Sequence, residues 1–185
     1  ENGSLLAILD SVEITLRRTA AASAVAMEAL AGKNTRTLLV CGCGVQGRAH
    51  IDALSSLRRF GRIVVYDEDQ AKAQKMAAEM STTGIREIEF ASDLSAAALD
   101  ADVIITATPS QMPIIGADDV RPGAFIAAAG ADNPRKNEIS SALLERSAIV
   151  SDVTDQCVFM GDTRALLAAS VFGRERIRAE LGEVL

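Results

Sequence analysis

A glycine-rich turn that directly follows a short apolar run is the feature that most constrains this chain. The run covers Thr37–Cys41, and the turn reads Gly-x-Gly-x-x-Gly, with its glycines at Gly42, Gly44 and Gly47. In a strand–turn–helix unit the first glycine permits the tight turn. The second lets a diphosphate approach the backbone, and the third lets the helix pack closely on the strand. A helix predicted from Val45 to about Phe60 then directs unpaired N–H groups and a partial positive charge at the turn.

The next strand pattern leads into the acid that a dinucleotide site needs. It covers Arg62–Tyr66 and is followed by Asp67, about 20 residues beyond the glycines, where a carboxylate binds the ribose hydroxyls of adenosine. A carboxylate also repels a 2′-phosphate, so Asp67 predicts NAD(H) rather than NADP(H). The alternative is a glycine-rich turn with a purely structural use, followed by an ordinary solvated aspartate. We interpret the two features together as a dinucleotide-binding fold with NAD as the cofactor.

Strand-like and helix-like segments alternate along the chain. This alternation predicts an α/β fold: a doubly wound Rossmann-type parallel sheet with helices on both faces, in a single domain with strand order 3-2-1-4-5-6. Strands are predicted at residues 37–41, 62–66, 87–90, 102–106, 124–129 and 148–150, and helices at 13–32, 45–60, 71–80, 94–99 and 140–146. Leu5–Leu9 is compatible with a further short strand, and Asp10 or Ser11 with a cap on the first helix. The chain beyond Asp155 looks helical, with breaks near Gly161 and Gly173.

The organisation of the chain places its loops at one crevice. We predict a strand and helix over residues 1–33 that pack on the core, an NAD-binding Rossmann domain over 34–152, and a C-terminal helical segment over 153–185. Ligands of such sheets lie beyond the carboxyl ends of the strands, where the strand order reverses. The loops expected to converge there are Gly42–Gly47, Thr106–Ser110 and Gly130–Lys136.

Composition narrows the class of partner. The 185 residues are 49% apolar and 24% charged, typical of a globular domain, and the net charge of −6 argues against a nucleic-acid footprint. There is no apolar run long enough to span a bilayer and no basic signal-peptide start, so we expect a cytoplasmic protein that binds neither nucleic acid nor membrane. Cys41 and Cys43 are too close for zinc-ligand spacing, and no metal site is predicted. The single histidine, His50, is expected on the surface or in helix packing rather than in catalysis.

With these loops identified, the chain resembles the ornithine cyclodeaminase/mu-crystallin family almost from end to end. The combination of Arg-Thr-Ala-Ala, Thr-Ala-Thr-Pro-Ser and Gly-x-Asp is more specific than the glycine motif alone. The matching segments are Asn2-Gly3, Ala7–Asp10, Arg18–Ser23, Gly42–Arg48, Val65–Asp67, Thr106–Ser110, Gly130–Asp132, Gly161-Asp162 and Glu180–Val184.

The resemblance implies roles for individual residues. Arg18 matches the arginine that binds the substrate α-carboxylate, for which a bidentate guanidinium is suited; the alternative is a solvated helix face. Asp132 matches the catalytic acid/base, although an Asx-turn before Pro134 also explains an aspartate there. Lys136 matches a lysine near the substrate, or is simply exposed, and Pro134-Arg135-Lys136 departs from the usual Pro-Gly-Lys. Cofactor contacts are expected from Thr19, Gly42, Gly44, Val45, Gln46, Gly47, Asp67, Thr106, Ala107, Thr108 and Ser110.

The resemblance also implies the activity, which is hydride transfer on an amino or imino acid by a cyclodeaminase, an amino-acid dehydrogenase or a ketimine reductase. Family members carry a further domain before the start of this sequence, and that domain makes the dimer interface and completes the substrate site. A truncated, non-catalytic dinucleotide-binding module and an oligomer-forming structural protein are therefore the alternatives. We expect a homo-oligomer, with the helix over residues 13–32 and the C-terminal helices as its interfaces.

Overall fold

The computed structural model describes residues 4–81, 88–164 and 173–185. The helices are α1 (Ser11–Leu30), α2 (Val45–Leu57), α3 (Gln70–Ser81), α4 (Leu94–Asp100), α5 (Ser141–Arg146), α6 (Thr154–Cys157) and α7 (Leu181–Val184), with a 3₁₀ turn at Arg174–Arg176. The strands are β1 (Thr37–Cys41), β2 (Arg62–Tyr66), β3 (Ile88–Phe90), β4 (Val103–Thr106), β5 (Phe125–Ala128), β6 (Ile149–Ser151) and β7 (Ile177–Glu180). Asn2-Gly3 and Glu87, which entered the sequence analysis, lie outside the described residues.

The main sheet confirms the predicted Rossmann-type α/β fold. Its five parallel strands run in the order β3-β2-β1-β4-β5. Cys41 at the end of β1 is opposite both Tyr66 at the end of β2 and Thr106 at the end of β4. The carboxyl ends of these strands therefore form one edge. The strand order reverses between β1 and β4, and this is the point where such sheets bind ligands.

Two hydrophobic clusters cover the two faces of the sheet. Successive strand residues point to opposite faces, so Leu38 and Val40 join one cluster and Leu39 joins the other. The first cluster includes residues of α1, α2 and α3, and the second includes residues of α4 and α5. Burial on both faces explains why the central strands are almost continuously apolar. Within the described residues, no helix has the length and apolar character needed to cross a membrane.

The predictions for the two ends of the chain were partly wrong. The sixth strand does not extend the main sheet: β6 pairs in parallel with β7 in a separate two-stranded sheet. Ile177–Glu180 is therefore a strand where a helix was predicted. Ile149 and Ile177 pair across the two strands, and both are buried. Runs this short carry too little periodicity to distinguish a strand from a helix or to indicate a pairing partner. Leu5–Leu9 is exposed and outside any strand, whereas Asp10 caps α1 by accepting from the Val12 N–H.

Candidate functional site

The three glycines of the turn differ in what requires them. Gly42 has a φ of +103°, and a Cβ there would overlap the Ala107 carbonyl oxygen. A Cβ on Gly47 would overlap the carbonyl oxygen of Gly42. Gly44 has an ordinary φ of −85° and is exposed, and among residues 4–81, 88–164 and 173–185 a Cβ there would meet nothing within 4 Å. The fold itself needs Gly42 and Gly47, while the bare backbone at Gly44 faces open space.

Helix α2 begins at this open position without a cap. Gly44 is its N-cap residue and supplies no side-chain hydrogen bond, and no acidic residue lies in the first turn. The amide N–H groups of Val45, Gln46 and Gly47 have no hydrogen-bond partner within residues 4–81, 88–164 and 173–185. In the same part of the structure the buried Oε1 of Gln46 has no partner either. This helix end thus presents unpaired donors and a partial positive charge.

Asp67 directly follows β2 and is hydrogen-bonded to the glycine-rich turn. Its Oδ2 accepts from the Cys43 N–H at 2.9 Å, and its Oδ1 accepts from the Asp69 N–H at 3.0 Å. A carboxylate has about four acceptor positions, so Asp67 retains capacity for a ligand hydroxyl. Burial, together with the charge of Asp67, raises the pKa of the Cys43 thiol to about 12. Cys43 is therefore a neutral part of the turn and not a nucleophile.

Glu138 joins the other two loops, and the sequence analysis did not identify it. Its side chain is fully buried. Oε2 accepts from Thr106 Oγ1 at 2.8 Å and from the Gly130 N–H at 2.9 Å. Oε1 accepts from the N–H and from Oγ1 of Thr108, both at 2.7 Å. Thr106–Ser110 and Gly130–Lys136 are thus held together by one carboxylate.

The surroundings of Glu138 are built to keep this carboxylate in place. A Cβ on Gly130 would overlap both of its carboxylate oxygens, which explains the glycine at that position. The Glu138 and Ile139 N–H groups donate to the buried carboxylate of Asp162. Burial raises the pKa of Glu138, opposed by the hydrogen bonds from Thr108 and Thr106. A glutamate followed by one isoleucine in a polar loop has no periodic pattern that would predict its burial. The nearby Gly130 was the one feature of the sequence that pointed to a close neighbour.

Asp132 and Lys136 form an ion pair, with Lys136 Nζ 2.8 Å from Asp132 Oδ1. The hydrogen bond from Lys136 comes first among the causes that lower the pKa of Asp132, and Asn133 Nδ2 also donates to Oδ1 at 3.1 Å. The Asx-turn of this loop belongs to Asn133, whose Oδ1 accepts from the Arg135 N–H at 3.0 Å. The Asp132 side chain is 70% exposed and is free to face a substrate.

Helix α1 places its two predicted site residues differently. Thr19 is half-buried, and its Oγ1 donates to the Thr15 carbonyl at 2.8 Å. Arg18 is exposed and has neither a hydrogen bond nor an ion pair with any residue that the structure describes. The structure therefore shows no contact between Arg18 and Asp132, and the proposed substrate role of Arg18 stays a prediction.

His50 connects α1 to the start of α2. Its Nδ1 lies 2.7 Å from the Gln46 carbonyl oxygen and its Nε2 lies 3.0 Å from Ser23 Oγ. Because a carbonyl only accepts, we assign the proton to Nδ1 and let Nε2 accept from Ser23. Burial lowers the pKa of His50. The histidine is fully buried and serves helix packing.

The sheet order and the uncapped, glycine-rich helix start define a Rossmann-type α/β fold. The chain belongs to the ornithine cyclodeaminase/mu-crystallin family, whose model matches residues 1–185. It is 33% identical to the alanine dehydrogenase of Archaeoglobus fulgidus, over 100% of this chain and 56% of that protein. This chain therefore spans about half the length of the curated relatives it matches.

Solved structures show the same similarity. An archaeal alanine dehydrogenase dimer with bound NAD superposes with a TM-score of 0.93 at 32% identity, over 99% of this chain and 56% of that one. The Δ1-pyrroline-2-carboxylate reductase of Thermococcus litoralis, in complex with NADH and L-proline, gives a TM-score of 0.92 at 31% identity. That match covers 98% of this chain and 57% of that one.

Proposed function

We propose that this chain binds NAD at the carboxyl edge of the sheet and forms the cofactor-binding part of an oxidoreductase or cyclodeaminase that acts on an amino or imino acid. The observation that carries the proposal is the geometry at Gly44. No atom of the described protein needs a glycine there, yet the position opens onto three unpaired N–H groups of α2. A diphosphate needs this space and these donors. The NAD and NADH complexes of the two similar proteins support the same choice.

The remaining crevice residues have consistent roles in this proposal. Asp67, at the end of β2, would accept from the adenosine ribose hydroxyls and disfavour a 2′-phosphate, which selects NAD over NADP. The buried Gln46 Oε1 has no hydrogen-bond donor among the described residues, and a bound cofactor would supply one. Thr106–Ser110 lies against the glycine-rich turn, where the Ala107 carbonyl is close to Gly42, and it would form the adjoining wall of the cofactor site.

The proposed chemistry uses the exposed side chains of two loops and one helix. The bound nicotinamide would supply or accept the hydride at the carbon that bears the substrate nitrogen. Arg18 would bind the substrate carboxylate, for which its guanidinium, without an ion pair among the described residues, is suited. Asp132 would transfer a proton at that nitrogen or to an attacking water. Lys136 lowers the pKa of Asp132 and so favours its ionised, proton-accepting form. Location in the cytoplasm and assembly into a homo-oligomer remain predictions.

A valine at Gly44 tests the cofactor site. Gly44→Val should fold normally, because among the described residues no atom beyond the adjacent ones lies within 4 Å of the new Cβ. We expect NAD affinity to fall at least about 100-fold, since excluding the diphosphate removes two or more charge-assisted hydrogen bonds. Gly32→Val is the matched control, because Gly32 is equally open but lies outside the crevice. Calorimetric titration measures both variants, and unchanged affinity in Gly44→Val would refute the proposed site.

A substrate screen tests the proposed activity separately. Ornithine, lysine, alanine and cyclic imines are each added to the NAD- or NADH-loaded protein while the absorbance of reduced nicotinamide and the release of ammonia are both followed, because a cyclodeaminase regenerates its cofactor and releases ammonia without net oxidation or reduction. We expect a change with at least one of them, and Asp132→Asn should abolish it with little change in NAD affinity. Binding of NAD without turnover of any compound would instead identify a non-catalytic dinucleotide-binding module.

A further inference from the structure

We propose that Glu138 is the positioning residue of the crevice, and that its buried negative charge makes the site favour oxidised NAD⁺ over NADH. This inference rests on the proposed NAD-binding function. It assigns the preference between the two redox forms to a residue that lies beneath the two loops rather than to one on the crevice surface.

The positioning role follows from how the two carboxylate oxygens are shared. Oε1 holds Thr108 through both its N–H and its hydroxyl, while Oε2 holds Thr106 and the Gly130 N–H. One rigid group therefore fixes the end of β4 relative to the loop that carries Asp132. If the carboxylate moves, the cofactor wall and the proposed acid/base move relative to each other.

In the part of the chain that the structure describes, the charge of Glu138 has no cationic partner. All four groups that contact the carboxylate are neutral donors, and within the described residues no lysine, arginine or histidine pairs with it. Four donors directed at two oxygens fit an ionised carboxylate, because a protonated acid would have to donate one hydrogen itself. The negative charge at this edge is consequently neutralised by no neighbour and screened by little water.

Such a charge acts differently on the two forms of the cofactor. The nicotinamide ring carries a positive charge in NAD⁺ and none in NADH, while the rest of the molecule is the same. A fixed negative charge beneath the loops therefore stabilises bound NAD⁺ selectively. A merely structural role would account for the four hydrogen bonds of Glu138, but it would leave the ratio of the NADH to the NAD⁺ dissociation constant unchanged when the charge is removed.

The test compares the NAD⁺ and NADH affinities of three variants of the full chain by calorimetric titration. Glu138→Gln removes the charge but turns an NH2 group towards the N–H of Thr108 or Gly130, so both affinities should fall. Beyond this common loss, we expect the ratio of the NADH to the NAD⁺ dissociation constant to fall about 3- to 10-fold. Glu138→Asp keeps the charge but withdraws it from the donors, so both affinities should fall while the ratio stays within about twofold. Asp102→Asn makes a like change at the opposite edge of the sheet and should leave the ratio unchanged.

The outcomes separate this inference from the proposed function. A wild-type protein that binds neither NAD⁺ nor NADH would refute the NAD site itself and the inference with it. A wild-type protein that binds both, with the same ratio in Glu138→Gln, would refute the inference alone. If thermal melting shows that Glu138→Gln is unfolded, Glu138→Asp decides: unchanged affinities, or a ratio that falls about tenfold, would overturn the proposal.

Discussion

Two carboxylates hold opposite edges of the same sheet in contrasting ways. At the amino edge, Asp102 Oδ2 accepts from the Arg36 and Thr37 N–H groups at 2.6 and 2.9 Å, and its Oδ1 pairs with Arg121. At the carboxyl edge, every donor to Glu138 that the described residues supply is uncharged. The Asp102 side chain is 22% exposed, whereas Glu138 is fully buried.

The difference in surroundings gives the two acids opposite pKa shifts. Burial raises the pKa of Asp102, but the N–H groups of Arg36 and Thr37 and the charge of Arg121 outweigh it, and the net shift is downward. Burial dominates at Glu138 and its pKa is raised. A paired, partly exposed acid stabilises the fold. An acid whose charge is left uncompensated at the ligand-binding edge is typical of a functional site.

Removing the carboxylate should lower the free energy of unfolding more at Glu138 than at Asp102. We expect Glu138→Ala to lower the free energy of unfolding by at least about 3 kcal/mol, because it leaves buried donors without acceptors. Asp102→Ala should cost only about 1 to 2 kcal/mol, since water reaches the groups it releases. Urea denaturation of both variants measures the difference. Equal losses would show that the two carboxylates contribute equally to the free energy of unfolding, which would contradict the contrast drawn here.

Gly130→Ala tests whether the Glu138 carboxylate needs the space beside Gly130. The new methyl group would overlap the carboxylate oxygens, so we expect a loss of about 1 to 3 kcal/mol in the free energy of unfolding. Gly44→Ala is the matched control, because its methyl group enters open space. Thermal and urea melts check both variants. A Gly130→Ala protein as stable as the control would mean that Glu138 moves without cost.

The stability that each acid contributes should change with pH in opposite directions for Asp102 and Glu138. We expect these changes to be smaller than the effects of the substitutions above. The lowered pKa of Asp102 stabilises the fold above its unfolded value of about 3.9, so this stabilisation is lost as the pH falls below that value and through the lower pKa of the folded state. The raised pKa of Glu138 means that the folded state binds more protons, so its contribution falls as the pH rises above about 4.3.

Denaturation at several pH values can separate the two contributions. The stability difference between wild type and Asp102→Asn should shrink as the pH falls, while that between wild type and Glu138→Gln should shrink as the pH rises. Slopes of the same sign for the two acids would contradict the account of their surroundings.

The fold could be predicted from the sequence because its signals are local. Thr37–Cys41 and the glycines after it combine a buried strand, a tight turn and a helix start within a few residues. The alternation of strands and helices then fixes the parallel topology of the first five strands. The pairing of β6 with β7 was missed, because the two short segments are far apart in the chain and neither indicates the other.

The candidate site was only partly accessible to the same reasoning. Asp132 and Lys136 are close in sequence, and the structure shows them as an ion pair. Glu138 was overlooked because its importance depends on groups up to 32 residues away, which the sheet brings together. The unexplained glycine at Gly130 was the one trace of it in the sequence, and its meaning is visible only once the carboxylate beside it is placed.

The central claim is that the crevice at the carboxyl edge is an NAD site, and titration of the wild-type protein tests it most directly. After removal of carried-over cofactor, NAD⁺ and NADP⁺ are titrated calorimetrically under identical conditions. The account predicts binding of NAD⁺ at micromolar or lower concentration and clearly weaker binding of NADP⁺, because Asp67 repels the 2′-phosphate. Absence of NAD⁺ binding at millimolar concentration, or tighter binding of NADP⁺, would contradict it.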